Sequence, residues 1–318
     1  MKIAIMGTGT MACLFGGRMF QQGHEVWLVS GWKEQVETIL QSGLVLSEAG
    51  RDDLVLHPHV TLHAQDVVAG GAGYPELVMI SCKGYQTVRT VANALPLIGP
   101  DTRVLTLQNG MGNAEIIAER VPVEHVFFGA ASVAADSHEL GHVVDTTNHN
   151  RTPLIGIAPL SRREDPFCDV LEKLFVSLGY TTSASVASEQ FVWKKLCLNS
   201  CGNALAGTSQ LSNHIFSNDQ DAFILLNQIC AECCAVAQAK GISLDYNETR
   251  AYVHATYYRQ QHYVSMCQDI HNKRKTEIDT INGTIVRLGR QLGIPTPVNE
   301  TMVHLVRLIS NHYADQWQ

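Results

Sequence analysis

The sequence predicts an α/β domain built on a largely parallel sheet, followed by an all-helical domain. Three observations carry that prediction. Short apolar, β-rich runs alternate with helical stretches through the first half. A glycine-rich turn, Gly7-Thr-Gly-Thr-Met-Ala12, joins the first run to the first helical stretch. Beyond about Ser185 the strand signals give way to long helical patterns. Alternating strands and helices imply a parallel sheet with crossover helices, whereas a helical tail has to bury its apolar stripes against itself. The boundary is predicted between residues 184 and 185, giving domains 1–184 and 185–318.

In chain order, residues 2–6, 25–29, 76–81 and 102–107 read as buried strands with helices or loops between them. Each is a short continuous apolar run, as a sheet covered on both faces requires. Residues 127–156 change to short strands and turns punctuated by Gly129, Gly141 and Gly156, which suits the antiparallel edge of the same sheet. A helix over 165–178 and a last strand around Tyr180 complete the domain. Helical patterns then cover 219–240 and 248–262. Thr276-Glu-Ile-Asp279 has capping-box spacing and opens a helix that stops at Gly293, with Pro295 just beyond. Residues 299–312 form a final amphipathic helix.

With 318 residues, 45% of them hydrophobic, the chain is long enough for two domains that each bury a core. A net charge of −7 without any basic run argues against nucleic acid or an anionic membrane surface as partner. No stretch approaches the roughly 20 apolar residues that span a bilayer. The N-terminus enters a strand without a signal-peptide pattern, so a cytoplasmic setting is expected.

Gly7-Thr8-Gly9-Thr10-Met11-Ala12 follows a strand and opens a helix, the setting in which G-x-G-x-x-A is informative. The first glycine permits the tight turn and the second lets backbone approach a pyrophosphate. The helix N-terminus supplies N–H groups and a positive dipole end. These six residues are the candidate phosphate cradle of a Rossmann-type dinucleotide-binding domain, the alternative being a merely tight turn. The second strand runs into Val29-Ser-Gly-Trp-Lys33. A carboxylate there would bind the ribose 2′-OH of NAD and repel a 2′-phosphate. Its absence favours NADP, with Ser30 and Lys33 as phosphate contacts and Trp32 as an adenine shelf. The alternative is that Lys33 only solvates the next helix. Two more polar loops follow strands, Ser81-Cys-Lys-Gly-Tyr-Gln-Thr87 and Leu107-Gln-Asn-Gly-Met-Gly112. Ligands of doubly wound sheets bind outside the carboxyl ends of strands, which directs Lys83 and Asn109 toward the nicotinamide half.

In the second half, Lys195, Asn199 and Asn203 recur at i, i+4 and i+8 of Trp193-Lys-Lys-Leu-Cys-Leu-Asn-Ser-Cys-Gly-Asn203. On an α-helix each such step advances about 40° round the axis, so an ammonium and two amides line one stripe. A pocket for a small oxygen-rich molecule gives that stripe a purpose: the cation donates a proton and the amides orient hydroxyl or carboxylate oxygens. A solvated helix face is the alternative. Cys197 and Cys201 fall away from the stripe. Cys230, Cys233 and Cys234 lie in Ile229-Cys-Ala-Glu-Cys-Cys-Ala-Val-Ala with no second pair and no positioned histidine. Nine cysteines without a disulfide spacing, and 14 histidines without zinc-site spacing, read as core and scatter, and no metal is expected.

The glycine loop, Cys82-Lys83, Gln108-Asn-Gly110, the Trp193 to Asn203 segment, Ser265-Met-Cys-Gln-Asp269 and Glu277-Ile-Asp-Thr-Ile-Asn-Gly283 occur in that order. With them the chain resembles the ketopantoate reductases, NADPH-dependent enzymes of pantothenate synthesis, over essentially its whole length. The resemblance implies that Lys195, not Lys194, is the general acid, with Glu277 holding that ammonium or a substrate hydroxyl. It implies Asn199, Asn203 and Asn213 as amides for the substrate's distal hydroxyl, Ser265 and Asn109 for its carboxylate, and Lys83, Asn109 and Glu277 toward the cofactor. The implied reaction is reduction of 2-dehydropantoate (ketopantoate), a small 2-oxo acid, to pantoate, a step toward coenzyme A. The chain departs from the family's usual pattern at Gly31-Trp32, where many members carry Arg, at Ala204, where Pro is usual, and at Val264, where Ser is frequent. Ser265 with Gln268 also fits a capping box, and Glu277 also fits a helix's first turn. A related NADP-dependent reductase of another 2-oxo acid and a catalytically silent NADP-binding regulator remain alternatives. The last helices can bury their faces within the domain or across a dimer, so monomer and homodimer both stand.

Overall fold

A computed structural model describes residues 1–71, 73–137, 139–147, 154–259 and 261–316. The chain divides into two compact units. One comprises Met1–Gln108 with Asn113–Glu189, the other Asn109–Gly112 with Gln190–Gln318. In order, the first contains β1 (Lys2–Met6), α1 (Thr10–Gln21), β2 (Glu25–Val29), α2 (Lys33–Ser42), β3 (Leu44–Glu48), β4 (Leu54–Leu56), β5 (His59–Thr61), α3 (Gln65–Val68) and β6 (Leu77–Ile80). It continues through α4 (Thr87–Ala94), β7 (Arg103–Thr106), α5 (Asn113–Ala118), β8 (Val126–Ala131), β9 (Ala135–Asp136), β10 (His142–Asp145), β11 (Leu154–Pro159), α6 (Phe167–Ser177) and β12 (Thr181–Ala184).

Eight strands form the main sheet in the order β12-β11-β8-β7-β6-β1-β2-β5. All neighbours run parallel except β11 against β8. The apolar runs expected as buried strands are β1, β2, β6 and β7, and every residue of β1 and β6 is buried. Helix α1 seats directly on this sheet because Gly16 faces it: a Cβ there would lie 2.8 Å from the Leu28 side chain. One residue before Gly16, Phe15 meets Phe175 and Tyr180 edge-on at 5.6 and 5.9 Å.

The structure corrects the expectation for residues 127–156. Strand β8 belongs to the main sheet and β11 pairs with it antiparallel, but β9 and β10 leave that sheet. They join β3 and β4 in a separate four-stranded sheet, and β3, β4 and β5 themselves were expected as helix or loop. The second sheet packs on α1 through Gly17, where a Cβ would meet Leu56, Leu44 and Leu46 within 4 Å. Arg18 fastens it with ion pairs to Glu48 on β3 at 2.6 Å and Asp145 on β10 at 2.9 Å. Residues 148–153 of the predicted edge lie outside the described residues.

The second unit contains α7 (Glu189–Ser209, its first residue counted with the other unit), α8 (Gln220–Ala239), α9 (Tyr246–Tyr258), α10 (Ser265–His271), α11 (Asn282–Leu292) and α12 (Pro297–Asn311). Among the described residues α8 alone, at 20 residues, is long and apolar enough to cross a membrane by length and composition. Here its Leu226, Ile229, Cys230, Cys233, Val236 and Ala237 are buried as core. Its Glu232 accepts the backbone N–H groups of Val298 and Asn299 at 2.8 and 2.9 Å, capping α12 from outside. The predicted helix start at Thr276 is also corrected. Residues 278–281 form a turn, α11 begins at Asn282, and no side chain caps it. Its stop at Gly293, in left-handed conformation at φ 71°, is as expected.

Candidate active site

The glycine loop owes its shape to contacts that only glycine permits. Gly7 sits at φ 145°, and a Cβ there would lie 2.5 Å from the Ser81 carbonyl oxygen. Its N–H donates to Val29 O at 2.8 Å, locking the loop to the end of β2. Gly9 is the N-cap of α1, no side chain caps that helix, and nothing lies within 4 Å of a Cβ built on Gly9. The space beside Gly9 and the uncapped first turn leave backbone N–H groups for an anion. Thr8 is buried, and its Oγ1 has no hydrogen-bond partner among the described residues. Thr10 and Met11 are half-buried on the first turn, and Ala12 is buried beneath it. An orphaned hydroxyl, an open glycine and a free helix terminus fit the diphosphate of a dinucleotide.

Gln35 holds this loop from behind, a role the sequence did not disclose. Buried on α2, it donates from Nε2 to Thr8 O at 3.2 Å and accepts the Gly141 N–H at 3.0 Å. At the end of β2, Ser30 Oγ accepts the Trp32 N–H at 3.2 Å, and Trp32 is 49% exposed. Lys33 is exposed and pairs with Glu37 one turn on at 3.6 Å, as a helix-solvating lysine does. Lys83 is half-buried at the start of the turn after β6. Gln108 fixes that turn by donating to Cys82 O at 2.7 Å and to Thr87 Oγ1 at 3.0 Å.

In the helical unit the Asn109–Gly112 loop and α7 meet. Asn199 Nδ2 donates to Asn109 Oδ1 at 3.3 Å, so two residues expected in one site from widely separated motifs do touch. The loop is bound to the turn that follows Glu277: Met111 N–H donates to Thr280 O at 2.8 Å and Thr284 Oγ1 donates to Met111 O at 2.9 Å. Gly110, at φ 82°, makes this approach possible, since a Cβ would lie 2.1 Å from Thr280 O. Glu277 is buried at the head of the same turn. Its fit to a helix's first turn lapses, because α11 starts only at Asn282.

Lys195, Asn199 and Asn203 lie on α7 with the expected spacing. Asn203 is 4% exposed and makes no hydrogen bond among the described residues. The Lys195 ammonium likewise has no hydrogen bond or ion pair among them, and burial lowers its pKa from the ordinary lysine value. Lys194 differs: its ammonium stands 4.6 Å over the Tyr252 ring. The helix is held in register by Gly202, whose missing side chain admits the buried Tyr257 hydroxyl, which donates to Leu198 O at 2.5 Å.

Asn213 and Ser265 form a second group, linked to each other through the loop before α10. Asn213 is fully buried, and its side chain accepts the His262 N–H at 3.1 Å while its own N–H donates to His262 O at 3.2 Å. This clamp positions the loop leading into α10. Ser265 is exposed at the first residue of α10 and caps nothing, and Gln268 donates instead to Tyr263 O at 2.9 Å, so the capping-box reading falls. Sequence reasoning also missed Asn282, fully buried, whose Nδ2 donates to Ser200 O at 2.9 Å and to Asn299 Oδ1 at 3.0 Å. It fastens α11 behind the stripe on α7.

Residues 3–156 match the family described as ketopantoate reductase PanE/ApbA, and residues 188–310 match its C-terminal domain. The chain belongs to the ketopantoate reductase family. Relatives named 2-dehydropantoate 2-reductase from Streptococcus pyogenes and Pyrococcus horikoshii are 27% and 28% identical, each match covering 96% of this chain and 97% of that protein. A PanE/ApbA family ketopantoate reductase from Ralstonia eutropha superposes with a TM-score of 0.84 at 29% identity, covering 98% of this chain and 99% of the other. A ternary structure of D-mandelate dehydrogenase with NADH and anilino(oxo)acetate superposes with a TM-score of 0.88 at 28% identity, covering 99% and 100%. The ketopantoate reductase fold thus carries a protein named for mandelate as well as proteins named for dehydropantoate.

Proposed function

We propose that this chain is an NADPH-dependent 2-oxo acid reductase, with ketopantoate as its substrate and Lys195 as the general acid. The observation that carries the proposal is the stripe on α7. It presents a half-buried lysine and a buried amide, neither with a partner among the described residues, and a third polar group already bonded to Asn109. Burying polar groups without partners is costly, and a structure retains them where a ligand completes them.

The bound nicotinamide would supply the hydride that reduces the C2 carbonyl of the substrate. The chain's own part is to bind, orient and protonate. Gly7 to Ala12 would take the diphosphate, Ser30 and Lys33 the 2′-phosphate, and Lys83, Asn109 and Glu277 the nicotinamide side. Lys195 suits a proton donor because its lowered pKa brings it nearer the operating pH, where general acids are most effective. Asn203 and Asn199 would bond the distal hydroxyl, Ser265 and Asn109 the carboxylate, and Glu277 would hold the Lys195 ammonium. Asn213 is proposed among the substrate amides, its buried bond to His262 also shaping the loop that leads to Ser265.

The relative named for mandelate motivates a second reading, in which the substrate is a different 2-oxo acid and the cofactor is NADH. Lys33 already paired with Glu37 is compatible with that reading. Steady-state kinetics with ketopantoate, phenylglyoxylate and a branched 2-oxo acid lacking a hydroxyl, each with NADPH and NADH, separates the two. The highest kcat/KM for ketopantoate with NADPH is expected. A preference for phenylglyoxylate and NADH would establish the second reading, and no oxidation of either cofactor with any 2-oxo acid would leave a silent regulator.

A further inference from the structure

The cysteines read from sequence as ordinary core converge. Cys197 comes from α7, and Cys230 and Cys234 come from successive turns of α8. All are buried, and their Sγ atoms lie within 4.8 Å of one another, with Cys197 and Cys230 at 3.6 Å. Cys201 and Cys233 are buried beside them, and all of these thiols are free. Sequence reasoning saw three cysteines on one helix; the ligand from the facing helix appears only on folding.

We propose that Cys197, Cys230 and Cys234 form a binding site for a soft divalent d10 cation held by three thiolates. An ion bound at about 2.3 Å from each of three sulfurs requires sulfurs about 4 Å apart, which the cluster meets with small side-chain adjustments. Soft thiolate ligands select such ions over oxygen-seeking ones. Three thiolates on a divalent ion leave one residual negative charge, less than a monovalent ion would leave. Tyr252, an electrostatic neighbour of Cys197, carries the Lys194 ammonium over its ring. The three thiols are free and buried, so without a metal they are protonated and unreactive toward oxidants. An ion displaces those protons: three Cys–SH and one divalent cation give one tris-thiolate complex and three released protons. The complex would tie α7, which carries Lys195 and Asn199, to α8.

The test is titration of the reduced, metal-free full chain with Cd(II), following ultraviolet sulfur-to-cadmium charge transfer and proton release in weak buffer. Saturation at one ion per chain, with about three protons released per ion, is expected. The Cys230→Ala/Cys234→Ala variant should lose the band, and Cys82→Ser should keep it, since Cys82 lies in the other unit and is half-buried. Absence of a band at equimolar Cd(II), persistence of the band in the double variant, or its loss in Cys82→Ser would overturn the site. If the double variant fails to fold, the proton count on the unmodified chain decides: one proton or none per ion overturns the proposal.

Discussion

Lys194 and Lys195 are adjacent and chemically alike, yet the fold gives them different surroundings. One ammonium rests on the Tyr252 ring, and the other is half-buried with no partner among the described residues. Lys195→Ala should therefore lower kcat by about 10²–10⁴-fold, the usual cost of losing a positioned general acid. NADPH affinity, measured by fluorescence titration, should stay near its original value. Lys194→Ala should cost activity little and stability by an amount typical of one cation–π contact, about 0.5–1 kcal/mol. A larger loss of kcat from the Lys194 change would reassign the proton donor. With the protonated Lys195 as the proposed proton donor and its pKa lowered, kcat should fall as pH rises through a value below that of ordinary lysine. A profile flat up to the ordinary lysine pKa would remove Lys195 from the role. At the other end of the chain, Lys33→Ala should raise the KM for NADPH several-fold and leave NADH almost unchanged. An equal effect on both cofactors would reduce Lys33 to the partner of Glu37.

A helix periodicity predicts which residues share a face but not what the face meets, and α7 shows both halves of that rule. Its stripe was legible from spacing alone. The pairing of Asn199 with Asn109 was not, because it depends on Gly110 letting a distant loop approach Thr280. The start of α11 differs for a related reason: Thr276 and Asp279 have capping-box spacing, but Thr276 is buried in a segment without regular structure and Asp279 lies in the turn that follows it. Asn203 is the stripe's untethered amide, so Asn203→Ala should strand a ligand hydroxyl and cost about 1–3 kcal/mol in kcat/KM for ketopantoate. The same change should matter much less for a 2-oxo acid of similar size lacking that hydroxyl. Equal impairment on both acids would mean that Asn203 supports the helix, and the ketopantoate assignment would fall while the reductase assignment stood.

At the scale of the whole molecule, the main sheet was readable and the second sheet was not. Buried parallel strands announce themselves as continuous apolar runs. Strands β3, β4, β9 and β10 are short, and their pairing is imposed from outside by α1, through Gly17 and Arg18. A lone buried arginine in a helix gives no sequence signal of the two carboxylates it will meet from far along the chain. That arrangement makes a specific prediction about acid stability. Burial alone would raise the Asp145 pKa, but hydrogen bonds from Thr147 and the Arg18 guanidinium hold its carboxyl below the ordinary value. A depressed folded pKa stabilises the native state above the unfolded carboxylate value of about 3.9, and the contribution disappears as pH falls through the folded value. Asp145→Asn should therefore destabilise the chain at neutral pH, toward the lower end of the about 3–5 kcal/mol seen when one partner of a buried pair is removed. The lower end applies because Arg18 keeps Glu48 at 2.6 Å. Urea unfolding of both proteins across pH should show a gap that is widest above pH about 4 and closes in acid, where the native aspartate is itself protonated. A gap that stayed constant with pH would show that Asp145 acts through its hydrogen bond to Thr147 and not through its charge.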